Sequence, residues 1–264
     1  MKKKAIIGVL MAALAITGCG AQEAESDALY QVNLLQSLTA GGYDGAISVK
    51  ELKEHGNTGI GTFEGVNGEM IVLDGTVYQA LWDGSVVEAD DEETVPYATV
   101  TYMDEDVKVD SVTASDIDDL KTKLTEYVQE QGANQIYMIE LTCSCDSIYV
   151  RSELKQEKPY RPLNEALAED QREFNYDNAT GTIVGLYTPA YLGQVNGVGW
   201  HFHFVSDDRT EGGHVLDLTN LTGSLVMDQI QEFDMWVEDT DDFNAMDLSE
   251  DQSQRIHSVE QDKK

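Results

Sequence analysis

Short apolar runs broken by glycine dominate the first third of this chain. "GIGTFEG", "GEMIVLDG", "TVYQALWDG" and "SVVEAD" follow one another between residues 59 and 90, separated by Asn-Gly and Asp-Gly pairs. Such pairs supply the positive φ values that tight hairpin turns need, so the pattern predicts a meander of antiparallel strands. "PYATVTYM" and "DVKVDSVT" add two more strands. The period then changes. In "SDIDDLKTKLTEYVQEQG" (residues 115–132), Ile117, Leu120, Leu124 and Val128 recur every three to four residues. That is the apolar stripe of a helix packed on a sheet, with Ser115 as its N-cap. "SVKELKEHGNTG" predicts a second helix, with Ser48 as N-cap, Glu51 as the capping-box partner and Gly56 as terminator. A short helix also fits within "YQVNLLQSLTAG".

The second half returns to strands. "NQIYMIELTCSCDSIYVRS" predicts one or two. A turn and short helix are expected across "KPYRPLNEALAEDQREFNYDN". Strands follow in "ATGTIVGLYTPAYL", "GVGWHFHFVSDD", "GGHVLDLTNLTGSLVMDQI" and "EFDMWVEDT", and the tail is helical in part. Strands dominate and do not alternate regularly with helices. The expected class is α+β, with mixed or antiparallel sheets in two sheet-based subdomains, partly barrel-like, and a few helices. The expected division is residues 29–155 for an N-terminal β-rich subdomain and 156–264 for a C-terminal, metal-binding one carrying an active-site tail.

The N-terminus stands apart. "MKKK" followed by "AIIGVLMAALAI" is a basic segment and an apolar segment too short for a comfortable membrane span, which marks a secretory signal. "ITGC" resembles the lipoprotein box, in which the cysteine, here Cys19, is lipidated after removal of residues 1–18. Residues 19–28 are then a polar tether, and the expected location is the outer face of a bacterial cytoplasmic membrane, or secretion. The chain touches the membrane only through that lipid.

Charge narrows the partners. The formal net charge is −32 over 264 residues, and removing the leader takes away Lys2, Lys3 and Lys4 as well. So acidic a surface repels phosphate backbones, and nucleic acid is excluded as a partner. A small anionic substrate would need a local cation. Cys143 and Cys145 form a lone C-x-C, which predicts two small buried side chains rather than a zinc site or a disulfide framework.

Three of the five histidines, His201, His203 and His214, fall within "GWHFHFVSDDRTEGGHVLDL". On a strand His201 and His203 share a face, with Cα atoms about 6.6 Å apart, while Trp200, Phe202 and Phe204 take the buried opposite face. "SDDRTEGG" lets the chain reverse, and a suitable register sets His214 across from the pair. Three neutral imidazoles converging on one point make a metal site with an open position. Iron, manganese or nickel would suit the same ligands. A cupin-like metal oxygenase and a non-catalytic metal-binding lipoprotein therefore stay open on these residues alone. His55 closes a short helix and reads as structural.

Several segments resemble the α-acetolactate decarboxylases: "YDGAISVKELKEHGNTGIGTFEGVNGEMIVLDGTVYQ", "PYATVTY", "RSELKQEKPYRPL", "NATGTIVGLYTPAYLGQVNGVGWHFHFVSDDRTEGGHVLDL" and "DFNAMDLSEDQSQRIHSVE". The resemblance runs over nearly the whole chain from about residue 30. It implies a zinc enzyme that converts 2-acetolactate to (R)-acetoin and carbon dioxide in acetoin biosynthesis, with Zn2+ held by His201, His203 and His214. It also implies active-site roles for Thr62, Glu69, Arg151 and Glu260, and a homodimer joined through the N-terminal sheet. The tail departs from the family pattern at His257, which stands where an acidic residue is usual.

These residue types suit that chemistry. Loss of carbon dioxide pushes electrons into the neighbouring ketone, and a metal at the hydroxyl and ketone oxygens stabilises the enediolate as it forms. Arg151 offers a planar fork to the carboxylate. A glutamate, Glu69 or Glu260, then protonates one face, and Thr62 orients the substrate or a carboxylate.

Overall fold

The structure is a computed structural model that describes residues 27–249 together with 252, 255, 256 and 259. The signal segment, Cys19, His257 and Glu260 lie outside the described residues. Along the chain run β1 (Ala28–Val32), α1 (Leu35–Thr39), β2 (Ile47–Ser48), α2 (Val49–Leu52), β3 (Thr58–Thr62), β4 (Glu69–Leu73), β5 (Thr76–Ala80), β6 (Val86–Glu88), β7 (Thr94–Val95), β8 (Tyr97–Thr101) and β9 (Val107–Ala114). Then come α3 (Ile117–Gln131), β10 (Ile136–Glu153), α4 (Leu163–Asp170), β11 (Gln171–Thr188), β12 (Gly199–Ser206), β13 (Gly212–Thr219), β14 (Leu221–Ile230), β15 (Glu232–Trp236) and α5 (Asp241–Asn244).

The expected meander is present. β3, β4, β5 and β6 pair in sequence with antiparallel register, and β8, β1 and β15 complete a seven-stranded sheet in the order β15-β1-β8-β3-β4-β5-β6. Asp74 and Gly75 at the β4–β5 turn both have positive φ, as the Asp-Gly pair predicted. The second sheet runs β11-β12-β13-β10-β14-β9, and β11 also pairs with β10. That extra pairing closes a ring, β10-β11-β12-β13 and back to β10, which is the barrel-like part of the fold. β10 serves two neighbours on one edge: its first half pairs with β14 and its second half with β13.

Sheet membership does not follow chain order. β9 and β10 precede residue 155 yet belong to the second sheet, and β15 follows it yet belongs to the first. The expected boundary at 155/156 falls between β10 and β11, which are hydrogen-bonded along nearly their whole lengths.

Two packed faces hold the sheets. Ile117, Leu120, Leu124 and Val128 of α3 are all buried against Phe202, Phe204, Leu141, Ile183 and their neighbours on one face of the second sheet. Burying four such side chains contributes roughly 6–12 kcal/mol before entropy is subtracted. The other face packs Met138, Val184, Leu186 and Val205 against Ile60, Ile71 and Leu73 of the first sheet. The functional site grows at the edge of this second interface.

Local expectations shift in three places. Asp116, not Ser115, caps α3, because its side chain accepts from the Asp119 amide, while Ser115 donates its own amide to Asp119. The Ser48 cap holds, accepting from Glu51 N, but α2 stops after one turn. The short helix expected across "KPYRPLNEALAEDQREFNYDN" is α4, but the next strand starts earlier than "ATGTIVGLYTPAYL": β11 begins at Gln171, and Phe174 and Tyr176 alternate toward the core. Cys143 and Cys145 are buried free thiols, as expected.

Candidate active site

One register row builds the site. Val184 on β11, His203 on β12, His214 on β13 and Arg151 on β10 are successive cross-strand partners. Partners in a row point to the same face, so His203, His214 and Arg151 stand side by side toward the first sheet. His201 joins them from two positions along β12, while Trp200, Phe202 and Phe204 point into the opposite core. A bulge lets this happen: the β10–β13 register slips between Tyr149 and Val150, which turns His214 inward. Gly213, the strand residue just before His214, has a φ of +145°, and an added Cβ there would sit 2.5 Å from the Arg151 carbonyl oxygen.

The three imidazoles converge. His201 Nε2 lies 3.0 Å from His203 Nε2 and 3.0 Å from His214 Nδ1. His203 donates its Nδ1 proton to the Met70 carbonyl of β4 at 2.8 Å. That bond turns Nε2, without a proton, toward the centre. Burial holds all three rings neutral: it pushes His201 down to about 3, and His203 and His214 well below the usual range, with Arg151 adding to the effect on each. Three neutral nitrogens, two of them 3.0 Å from the third and all within 4.8 Å of one another, are the donor set of a borderline divalent metal at bond lengths of about 2.0–2.1 Å. The group fits a metal ion.

Thr62 and Glu69 enter from the first sheet. They are register partners across the β3–β4 hairpin. The Thr62 hydroxyl donates to the Gly68 carbonyl at 2.7 Å, which pins the turn that presents Glu69. Glu69 Oε2 lies 3.4 Å from His203 Nε2, and Glu69 Oε1 lies 3.9 Å from Arg151 Nε. All of these side chains are buried; Arg151 is 4% exposed and Glu69 7%. So the structure gathers six of the seven expected site residues, and the seventh, Glu260, lies outside the described set.

Sequence reasoning missed Glu153. Its Oε1 sits 3.3 Å from Arg151 Nε, closer than Glu69, and it is 5% exposed. The signal was available: Arg151 and Glu153 are two apart on one strand and share a face. The apolar wall was also unforeseen. Leu35, Leu38, Val66, Tyr97, Leu163 and Leu167 line the same cavity as the polar groups, and Ile256 and Val259 of the tail pack on that cluster. A buried arginine faced by two carboxylates, a metal donor set and an apolar wall make a site for a small anion bearing short alkyl groups.

The comparisons decide the family. The model of the α-acetolactate decarboxylase family matches residues 29–250. The chain belongs to that family. The α-acetolactate decarboxylase of Methanosarcina mazei is 37% identical over 235 residues, covering 89% of this chain and 81% of the relative. That of Lactococcus lactis is 38% identical over 205 residues, covering 77% and 85%. The crystal structure of the Bacillus subtilis α-acetolactate decarboxylase superposes with a TM-score of 0.83 at 30% identity, covering 89% of this chain and 99% of that one. The α-acetolactate decarboxylase fold thus carries here a histidine triad, an arginine and at least two carboxylates in one buried cavity. Neither the cupin-like oxygenase nor the non-catalytic lipoprotein is favoured by these relationships.

Proposed function

We propose that this chain decarboxylates 2-acetolactate to (R)-acetoin, with zinc as the metal of the histidine triad. The observation that carries the reading is the convergence of three neutral imidazoles beside a buried arginine, in a chain of this family. Zinc suits a reaction without net redox change and a nitrogen donor set with room for substrate. When bound, it supplies a Lewis acid for the negative charge that develops as carbon dioxide leaves.

His201, His203 and His214 hold that ion, and the His203–Met70 hydrogen bond keeps one donor aimed. Arg151 binds the substrate carboxylate. One of its nitrogens faces Glu153 and Glu69, and its fork offers two more. The apolar wall of Leu35, Leu38, Leu163 and Leu167 takes the methyl groups and excludes water, which strengthens every charge interaction inside. The bond to the carboxyl carbon breaks, its electron pair moves toward the ketone, and one proton must be delivered to carbon. A glutamate delivers it. Among the described residues, Glu69 stands between the metal donors and Arg151 and is placed for that role, with Thr62 holding its hairpin. Glu260 is the other candidate.

The same reading places the enzyme outside the cytoplasmic membrane, anchored by a lipid on Cys19, and as a homodimer. The test is direct. Protein lacking residues 1–18 and with Cys19 replaced is incubated with racemic acetolactate, and acetoin is measured as prepared, after chelation, and after zinc is restored. Activity that is lost and then recovered supports the assignment. A zinc-loaded protein that forms no acetoin refutes it.

A further inference from the structure

A second group of ligating side chains lies away from the histidines. Asp104, Asp106 and Asp228 each offer a carboxylate oxygen, and the three lie within 4.8 Å of one another. Their place in the fold is specific. Asp104 and Asp106 sit on the loop by which the chain leaves β8 of the first sheet for β9 of the second. Asp228 lies near the end of β14, just before the chain crosses back to the first sheet as β15. It is in register with Met138, near the start of β10, whereas Arg151 is near that strand's end. Asp27, immediately before β1, adds its charge to the same locality.

Clusters of acids are common on so acidic a chain, and exposed ones such as Asp104 and Asp106 signify nothing alone. Asp228 differs. It is 2% exposed, and its Oδ1 has no hydrogen-bond partner. A buried carboxylate oxygen left in this state is costly unless a cation or proton answers it. Its neighbour is better served: Asp106 Oδ2 accepts from the Gln229 amide at 3.0 Å. Burial first, and then the charges of Asp104, Asp27 and Asp106, push the Asp228 carboxyl up to about 7. Every charged group acting on it in that set has its own sign.

We propose that Asp104, Asp106 and Asp228 form a second cation site that takes a hard divalent ion of the calcium type. The donors are all oxygen, which selects against the borderline metals that favour imidazole. Calcium accepts six to eight oxygens at about 2.3–2.6 Å in irregular geometry, and the exposed side of Asp104 and Asp106 admits the water needed to complete the shell. Bound there, the ion ties the β8–β9 loop to the end of β14. It fastens both crossings between the sheets at one point, far along β10 from the decarboxylation site.

Isothermal titration of the purified zinc-loaded protein with calcium chloride tests this, with thermal unfolding followed in parallel. One saturable event per chain and a Tm that rises with calcium are expected. Asp228→Asn, a neutral replacement of the same shape, should weaken binding by at least about tenfold, and Asp106→Asn, at an exposed position, should do the same. Asp110→Asn, on the exposed side of β9, should bind as the parent does. Absence of saturable binding up to about 10 mM calcium overturns the proposal. So does undiminished binding by the Asp228→Asn and Asp106→Asn variants, or tighter binding of magnesium than of calcium.

Discussion

His203 donates its Nδ1 proton to the backbone carbonyl of Met70 at 2.8 Å, so a histidine of the second sheet is oriented by a strand of the first. The aim of one imidazole in the candidate metal site therefore depends on the docking of the two sheets. His203→Ala should lose bound metal and acetoin formation together. His203→Asn, which keeps a polar group but shortens the reach, should retain less than about a tenth of the metal affinity. Metal content measured by mass spectrometry checks this. Wild-type stoichiometry in either variant would remove His203 from the ligand set.

Arg151 is held between Glu153 and Glu69 in a site where all three are nearly fully buried. Lysine keeps the charge but loses the planar fork. Arg151→Lys should raise KM for acetolactate more than it lowers kcat, with kcat/KM down about a hundredfold, a loss of about 2.7 kcal/mol. Glu153→Gln removes the nearer counter-charge while keeping the shape. It should leave zinc content unchanged and shift KM, because the guanidinium loses the group that aims it. Steady-state kinetics on zinc-reconstituted protein separates the two parameters.

Gly213 holds a positive φ one residue before His214. Gly213→Ala would place a methyl 2.5 Å from the Arg151 carbonyl oxygen, a contact that backbone must move to relieve. A destabilisation of about 2–3 kcal/mol is expected, together with weakened metal binding, since the shift is passed directly to His214. Chemical denaturation of the metal-free form gives the first quantity and a zinc titration the second.

Burial lowers the three site histidines below their unfolded value of 6.5, with His201 at about 3. In the metal-free protein the folded form stays neutral while the unfolded chain takes up protons. The stability these rings allow is therefore whole above pH 6.5 and is lost as pH falls from there toward 3. By pH 5 the loss reaches about 2 kcal/mol for His201, and His203 and His214 act in the same direction. Tm of the stripped protein should fall steeply between pH 7 and 5, and less steeply in a variant with His201 and His214 replaced by glutamine. Parallel slopes would show that other groups carry the acid sensitivity.

Much of this site was legible because strand alternation is so regular. H-x-H fixed a shared face, and a reversal after Asp208 brought His214 opposite His203. Glu153 escaped although the same alternation links it to Arg151, because one glutamate among 49 acidic residues carries no signal of burial. The strand that begins at "QREFNYDN" was hidden for a different reason. Its polar residues suit either state, and pairing with β10 decides for strand once Phe174 and Tyr176 can reach the core. Sheet membership was not legible at all. Nothing local in "EFDMW" says that it will lie beside "ALYQV", some two hundred residues earlier.

That last pairing bears on how the molecule is made. β15 runs parallel to β1, from Ala28 opposite Glu232 to Val32 opposite Trp236. A chain emerging from its N-terminus presents β1 early and cannot supply the neighbouring strand until nearly all of it has appeared. Contacts this distant slow folding. β1 therefore has one neighbour, β8, long before it gains the other, and its second edge stays unpaired until late in synthesis.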